Sequence, residues 1–294
     1  MNIDKIFSKK NENNNEVIRI FGAKISLKKK WDYENNSLLQ KCLSELADLR
    51  IFCDKLQNVI LPELMKKQNC SIENLIKTSI NHKEVFPKYR NINNGKDVAL
   101  IATGPSLKDF KPIENAVYVG VNKAFKYENV KFDYLFLQDY SGATKTYIED
   151  FCNYDSKKFI GYISDYIQGA MQCIIPEKYS YYPNVERYYI AHPTEKSNFT
   201  FDIATQPFGD AYSIAFPAMQ FILWTNPKRI YIVGCDCTEG GYHDSNDKNV
   251  LATNEVIEGW KRMKEFAKTY YPDTEIISIN PVGLKGIFKD EYQN

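Results

Sequence analysis

Histidine is scarce and neither sign of charge dominates: the 294 residues hold 3 His, and 38 Lys+Arg stand against 37 Asp+Glu, a formal net charge of +1. General nucleic-acid binders usually carry a basic excess, so no nucleic-acid partner is expected. Paired CxxC spacings are absent. The seven cysteines, at 42, 53, 70, 152, 173, 235 and 237, give neither a disulfide framework nor a structural zinc site. Cys235-Asp236-Cys237 is a C-x-C without a visible second half, so reduced thiols are expected. Long hydrophobic runs are missing too. The longest, Tyr212 to Trp224, is broken by Gln220 and falls short of the roughly 20 residues a membrane helix needs. MNIDKIFSKKNENNNE at the start has no apolar stretch of signal-peptide length, and a cytoplasmic location is expected.

What the chain does have is 44% apolar and 14% aromatic residues, enough for a sizeable core in one large domain with an extension. Three regions differ in pattern. Residues 1–34 form a basic arm: within 1–30, eight Lys/Arg face three Asp/Glu, a surplus of five that the remainder offsets with a deficit of four. There, Ile18, Ile20, Ile25 and Leu27 alternate with polar residues before three lysines and Trp31, which suits an edge hairpin or a patch resting on an anionic membrane surface. The second reading places the protein peripherally on the inner face of the cytoplasmic membrane. Residues 35–95 are expected to be a helical extension and linker. Over 35–67, Leu39, Cys42, Leu46, Leu49, Cys53, Leu56 and Ile60 recur in steps of three and four, a seam that suits pairing with a second chain. The polar KYRNINNGK at 88–96 closes the linker.

From residue 96 to 294, short apolar runs alternate with longer amphipathic ones, the signature of an α/β domain with a mainly parallel sheet and helices on both faces. Strands are expected near 98–102, 116–121, 133–137, 159–163, 187–190, 229–233 and 275–279. The clearest helices are 142–152, 211–225 and 253–270, the last with Thr253 and Asn254 as caps. Such sheets bind ligands beyond the carboxyl ends of their strands. The residues there are Thr103-Gly104-Pro105-Ser106, then Asn122, Gln138-Asp139, and Gly234-Cys235-Asp236. Gly104 lets backbone approach a ligand, and Ser106 caps the next turn with its N–H towards an anion. ATGPSL lacks the third glycine of the dinucleotide fingerprint and the GK[ST] of a P-loop, which removes both readings.

The series Thr103-Gly104-Pro105-Ser106-Leu107, Asn122, Gly209-Asp210-Ala211-Tyr212-Ser213, Gly234-Cys235-Asp236 and Asn280-Pro281 resembles two bacterial groups over about residues 96–290. These are glycosyltransferase family 42, the bacterial sialyltransferases, and the core domain of the Maf motility-accessory glycosyltransferases. The resemblance implies a Rossmann-like, metal-independent domain that binds a nucleotide sugar, typically a CMP-activated nonulosonic acid. It implies transfer to a cell-surface glycan or glycolipid, as in lipooligosaccharide or capsule synthesis. Gly104, Ser106 and Asn122 would hold the nucleotide, Ser213 would meet the donor, and Tyr242 would contact the leaving phosphate. The family's histidine base has no counterpart in 245–254; His243 is the nearest substitute, with Asp244 or Asp236 as carboxylate stand-ins and His192 as a more distant one. His82 belongs to the extension and is expected to have no part in the site.

Two other classes stay open. Asp236, Asp244 and Asp247 would suit Mg²⁺, as in a hydroxymethylpterin-type pyrophosphokinase using ATP, although only Lys108 and Lys123 lie near the glycine turn. A non-catalytic oligomeric scaffold is the third. The tyrosine-rich 178–189 reads equally as a lid or as a strand pair with rings on both faces.

Overall fold

The computed structural model describes residues 7–12, 15–20, 23–28, 33–55, 78–140, 142–163, 175–191, 198–243 and 253–293. The chain divides into two compact units, Met1–Ile72 and Glu73–Asn294.

In the first unit, β1 (Phe7–Glu12), β2 (Asn15–Ile20) and β3 (Ala23–Lys28) form an antiparallel meander. The hairpin expected from the Ile/Leu alternation is β2–β3, with Ile18 opposite Ile25 and Ile20 opposite Ala23, and β1 adds a third strand. Helix α1 (Tyr33–Lys55) begins two residues before the expected 35; residues 56–67 of the seam lie outside the described residues. Leu49, Ile51 and Phe52 on α1 are exposed.

The second unit starts earlier than the expected boundary at 95/96. A helix over 78–85, α2, puts Thr78, His82 and Val85 on one buried stripe, followed by buried Phe86. The segment expected as a linker is anchored: Asn91 and Asn93 donate their N–H groups to the carbonyls of Trp224 and Thr225, at 3.2 and 3.0 Å, and the Asn93 amide donates to Thr225 Oγ1. Its asparagines serve as turn formers, Asn91 at φ +59°, and as buried hydrogen-bonding groups rather than as solvated spacer.

The sheet of this unit consists of β4 (Asp97–Ile101), β5 (Val117–Val121), β6 (Tyr134–Leu137), β7 (Lys157–Ile163), β8 (Val185–Ile190), β9 (Arg229–Val233), β10 (Glu275–Ile279) and β11 (Lys289–Glu291). All eight strands are parallel, in the order β11-β10-β9-β4-β5-β6-β7-β8. This is a Rossmann-like α/β fold. Successive strands step outward from β4 as far as β8; the chain then crosses to β4's other side for β9, which makes the β4/β9 boundary the topological switch point.

Because both faces are covered, the strands read as apolar runs rather than as alternations. Val98 and Leu100 face one core with α5 (Ala215–Trp224) and α6 (Thr253–Tyr270); Ala99 and Ile101 face the other, with Phe110, Phe125 and Phe151. All ten residues of α5 are buried. Its Gln220 remains satisfied: Oε1 accepts from the N–H groups of Thr200 and Gly209, and Nε2 donates to the Gly209 and Phe216 carbonyls.

The opposite face carries short 3-10 turns and two short helices, α3 (Gly142–Lys145) and α4 (Ile148–Asn153). A single helix was expected over 142–152. Thr146 Oγ1 donates to the Ala143 carbonyl at 2.7 Å, a local bond that competes with continuation of the helix, and Tyr147 turns at φ −133°. Thr253 and Asn254 lie inside α6 instead of preceding it. β11 was unexpected, since Lys-Asp-Glu carries no apolar signal.

Candidate active site at the switch point

An open pocket lies at the carboxyl ends of β4, β5, β6 and β9 and at the amino end of α5, with Thr253, Val256 and Trp260 of α6 on its wall. Thr103, Gly104, Asn122, Asp139, Ser213, Asp236 and Tyr242 all line it. Seven of the residues singled out by strand-end position or resemblance therefore share one cavity, although they come from six segments of the chain.

Its floor is built from the β4 and β9 ends. Gly234, at φ +68°, turns the chain out of β9. Its carbonyl accepts the Gly104 N–H at 2.8 Å, and a Cβ on Gly104 would lie 2.5 Å from that oxygen and 2.7 Å from the Asp236 carboxyl carbon. Only glycine fits so close an approach. The buried Asp236 carboxylate accepts from the Ser106 N–H, at 2.8 Å, and from the Ser106 hydroxyl. The anion that the Ser106 N–H faces is thus the chain's own Asp236, and Ser106 does not line the pocket.

A second polar cluster lies beneath the wall. Asp210, 1% exposed, accepts from the Gln138 amide and, at 2.6 Å, from the Tyr212 N–H. Tyr188 donates its hydroxyl to Gln138 Oε1 at 3.3 Å. Burial pushes the Asp210 carboxyl up to about 6, against the opposing effect of its hydrogen bonds, and the charge of Asp139 adds to the rise. Its bond to Tyr212 holds a turn in which Ala211 and Tyr212 both take positive φ, +43° and +66°. That turn delays the start of α5 from the expected 211 to 215 and presents Tyr212, Ser213 and Ile214 to the pocket. The sequence singled out Gln138, Gly209 and Asp210 as binding residues; they stand behind the lining and shape it.

Asp139 lies two residues past the end of β6 and opens onto the pocket, yet the protein around it raises its carboxyl above the usual aspartate range by desolvation. Burial pushes the Cys235 thiol well above its ordinary value and Cys237 up to about 12, so both are neutral thiols at neutral pH. Asn122 lines the pocket at φ +50°, and Tyr242 carries the Lys123 ammonium 5.9 Å from its ring centroid.

No protein-family model and no curated protein sequence matches this chain.

The remaining candidates lie elsewhere. The His243 N–H donates to the Thr103 carbonyl at 2.8 Å, but its ring packs edge-on to Tyr127, centroids 6.3 Å apart, and is not part of the lining. Pro105 is likewise outside it. Asn280 takes φ +47°, and its Oδ1 accepts the Gln293 N–H, tying the C-terminal strand to β10. Asp244, Asp247 and His192 lie outside the described residues. His82 is a core residue: Tyr189 N–H donates to Nε2 at 2.8 Å, which leaves the proton on Nδ1, 3.0 Å from the Gln206 carbonyl. Burial lowers its imidazole to about 4.

Sequence reasoning missed Tyr212, Cys237, Thr238 and Trp260 as lining residues. Trp260 could have been found from the seven-residue spacing that puts it on the face of α6 shared with Thr253 and Val256. Of the tyrosine-rich segment, Glu177–Tyr181 is a 3-10 turn and the rest leads into β8, with Tyr179 and Tyr188 buried on opposite faces. Among the described residues, no group of three or more His, Cys, Asp or Glu is gathered as a metal ion would require, and no helix is long and apolar enough to cross a membrane.

Proposed function

We propose that the protein is an inverting glycosyltransferase that moves a sugar, a nonulosonic acid from a CMP donor in the favoured case, to a hydroxyl of a cell-surface glycan or glycolipid. The observation that carries this reading is the convergence of Gly104, Asn122, Ser213 and Tyr242 on one pocket at the switch point. Backbone at Gly104 and the Asn122 amide would hold the nucleotide, and Ser213 at the start of α5 would meet the donor phosphate. Tyr242, with Lys123 beside it, would stabilise the charge that builds up as the nucleotide leaves.

The test is a panel of CMP- and UDP-sugars in thermal-shift and donor-hydrolysis assays, each with and without EDTA. A CMP-sugar is expected to raise the melting temperature and to be hydrolysed slowly in either buffer. Stabilisation by ATP with Mg²⁺ alone would replace this reading with the pyrophosphokinase; binding without turnover would favour the scaffold.

Self-association through α1 belongs to the same proposal, and the exposure of Leu49 in the three-four seam and of Phe52 beside it supports it. Leu49→Glu with Phe52→Glu is expected to convert a sedimenting oligomer into monomer. Oligomers of unchanged size would remove α1 from that role.

A further inference from the structure

We infer that Asp139 is the group that takes the proton from the attacking hydroxyl in this pocket. The inference rests on the glycosyltransferase reading and deepens it, replacing a base sought in the 243–244 segment with one at the end of β6.

Two carboxylates are found among the described residues that line the pocket, Asp139 and Asp236. Asp236 is buried and accepts two hydrogen bonds from Ser106, so it is committed to holding the β4 and β9 loops together. Asp139 is exposed and opens onto the pocket. The desolvation that lifts its carboxyl moves it towards the basicity a proton acceptor needs near neutral pH. Its placement is fixed from behind. Gln138, the preceding residue, has its amide tied to buried Asp210 and its carbonyl oxygen to Tyr188, so the backbone from which Asp139 emerges is anchored to the buried cluster behind the pocket lining.

The step balances with the donor and acceptor alone. The acceptor oxygen forms a bond to the anomeric carbon while the bond from that carbon to the phosphate oxygen breaks. The electron pair leaves with the nucleotide, and the acceptor proton goes to Asp139. Water can stand in for the acceptor, which makes donor hydrolysis a readout before the natural acceptor is known.

The experiment measures hydrolysis and thermal shift with the CMP- and UDP-sugar panel, using full-length wild type, Asp139→Asn and Asp139→Glu. Asp139→Asn is expected to keep the donor-induced thermal shift and to lose about 100-fold or more in hydrolysis rate. The wild-type rate should rise with pH along a limb centred above the ordinary aspartate range. Asp139→Asn should flatten that limb, and Asp139→Glu should retain it with reduced rate. Near-wild-type hydrolysis by Asp139→Asn overturns the inference and returns the role to His243 or Asp244. Loss of the thermal shift together with turnover also overturns it, making Asp139 a donor-binding residue. A wild type that neither binds nor hydrolyses any donor overturns the glycosyltransferase reading itself.

Discussion

Asp210→Asn is expected to lose about 2 kcal/mol of stability relative to wild type as the pH falls from 6.5 to 4. Asp210 titrates at about 6 in the folded protein against an ordinary value of 3.8, so the native state binds its proton more tightly than the unfolded chain does. The resulting stabilisation is complete below 3.8 and disappears as the pH rises through 6. His82 acts in the opposite sense. Its folded value of about 4 lies below the ordinary 6.5, so its contribution is complete above 6.5 and is lost as the pH falls through 4, about 3 kcal/mol by that point. In wild type the two effects largely offset, leaving a net loss of about 1 kcal/mol from this pair between pH 7 and 4. The asparagine variant removes one arm of the balance and exposes the full loss at His82. Urea unfolding at half-unit pH steps, followed through the buried Trp224 and Trp260, would measure it. Parallel curves for variant and wild type would show that Asp210 does not titrate in this window.

Asp236→Ala is expected to lower the melting temperature of the α/β unit by about 10 °C. It removes a carboxylate that accepts two hydrogen bonds from Ser106, and the Ser106 N–H is left partly buried without an acceptor. Charge-assisted bonds contribute about 1.5–3 kcal/mol each, and a joint loss near 3 kcal/mol corresponds to such a shift in a unit of this size. Ser106→Ala should show roughly half the effect, because the N–H bond survives. The same residue was a candidate base on sequence grounds, and the two roles separate cleanly by calorimetry. An Asp236→Ala protein that melts like wild type but has no turnover would assign Asp236 to the chemistry.

The parts of the fold that were legible in the sequence are those where burial writes a pattern. β9 and β10 begin and end at the residues expected, because each is a short apolar run between turn formers. The pocket was legible for a related reason: strands buried on both faces leave small polar residues at their carboxyl ends, and these stand out against Val98–Ile101 or Ile230–Val233. Direction was not legible. Ser106, Gln138, Asp210 and Asn280 are polar residues in the expected places, yet each side chain bonds to protein, and the partner lies 130 residues away for Ser106 and 72 for Gln138. No local signal carries such a pairing. The linker over 88–96 was misread because asparagine serves equally in solvated spacers and in anchored left-handed turns. β11 has no apolar residue to announce it.

The strand order has a consequence for how the chain matures. β4 pairs with β5 across a short connection, but its other neighbour, β9, begins at Arg229. During synthesis, the edge of β4 that later meets β9 stays unpaired while more than a hundred residues emerge, an aggregation-prone template until β9 docks. The pocket floor joins Gly104 to Gly234 across this same seam. Completion of the pocket floor and protection of the open edge therefore arrive in one event, late in translation, and a nascent chain halted before residue 229 would have neither.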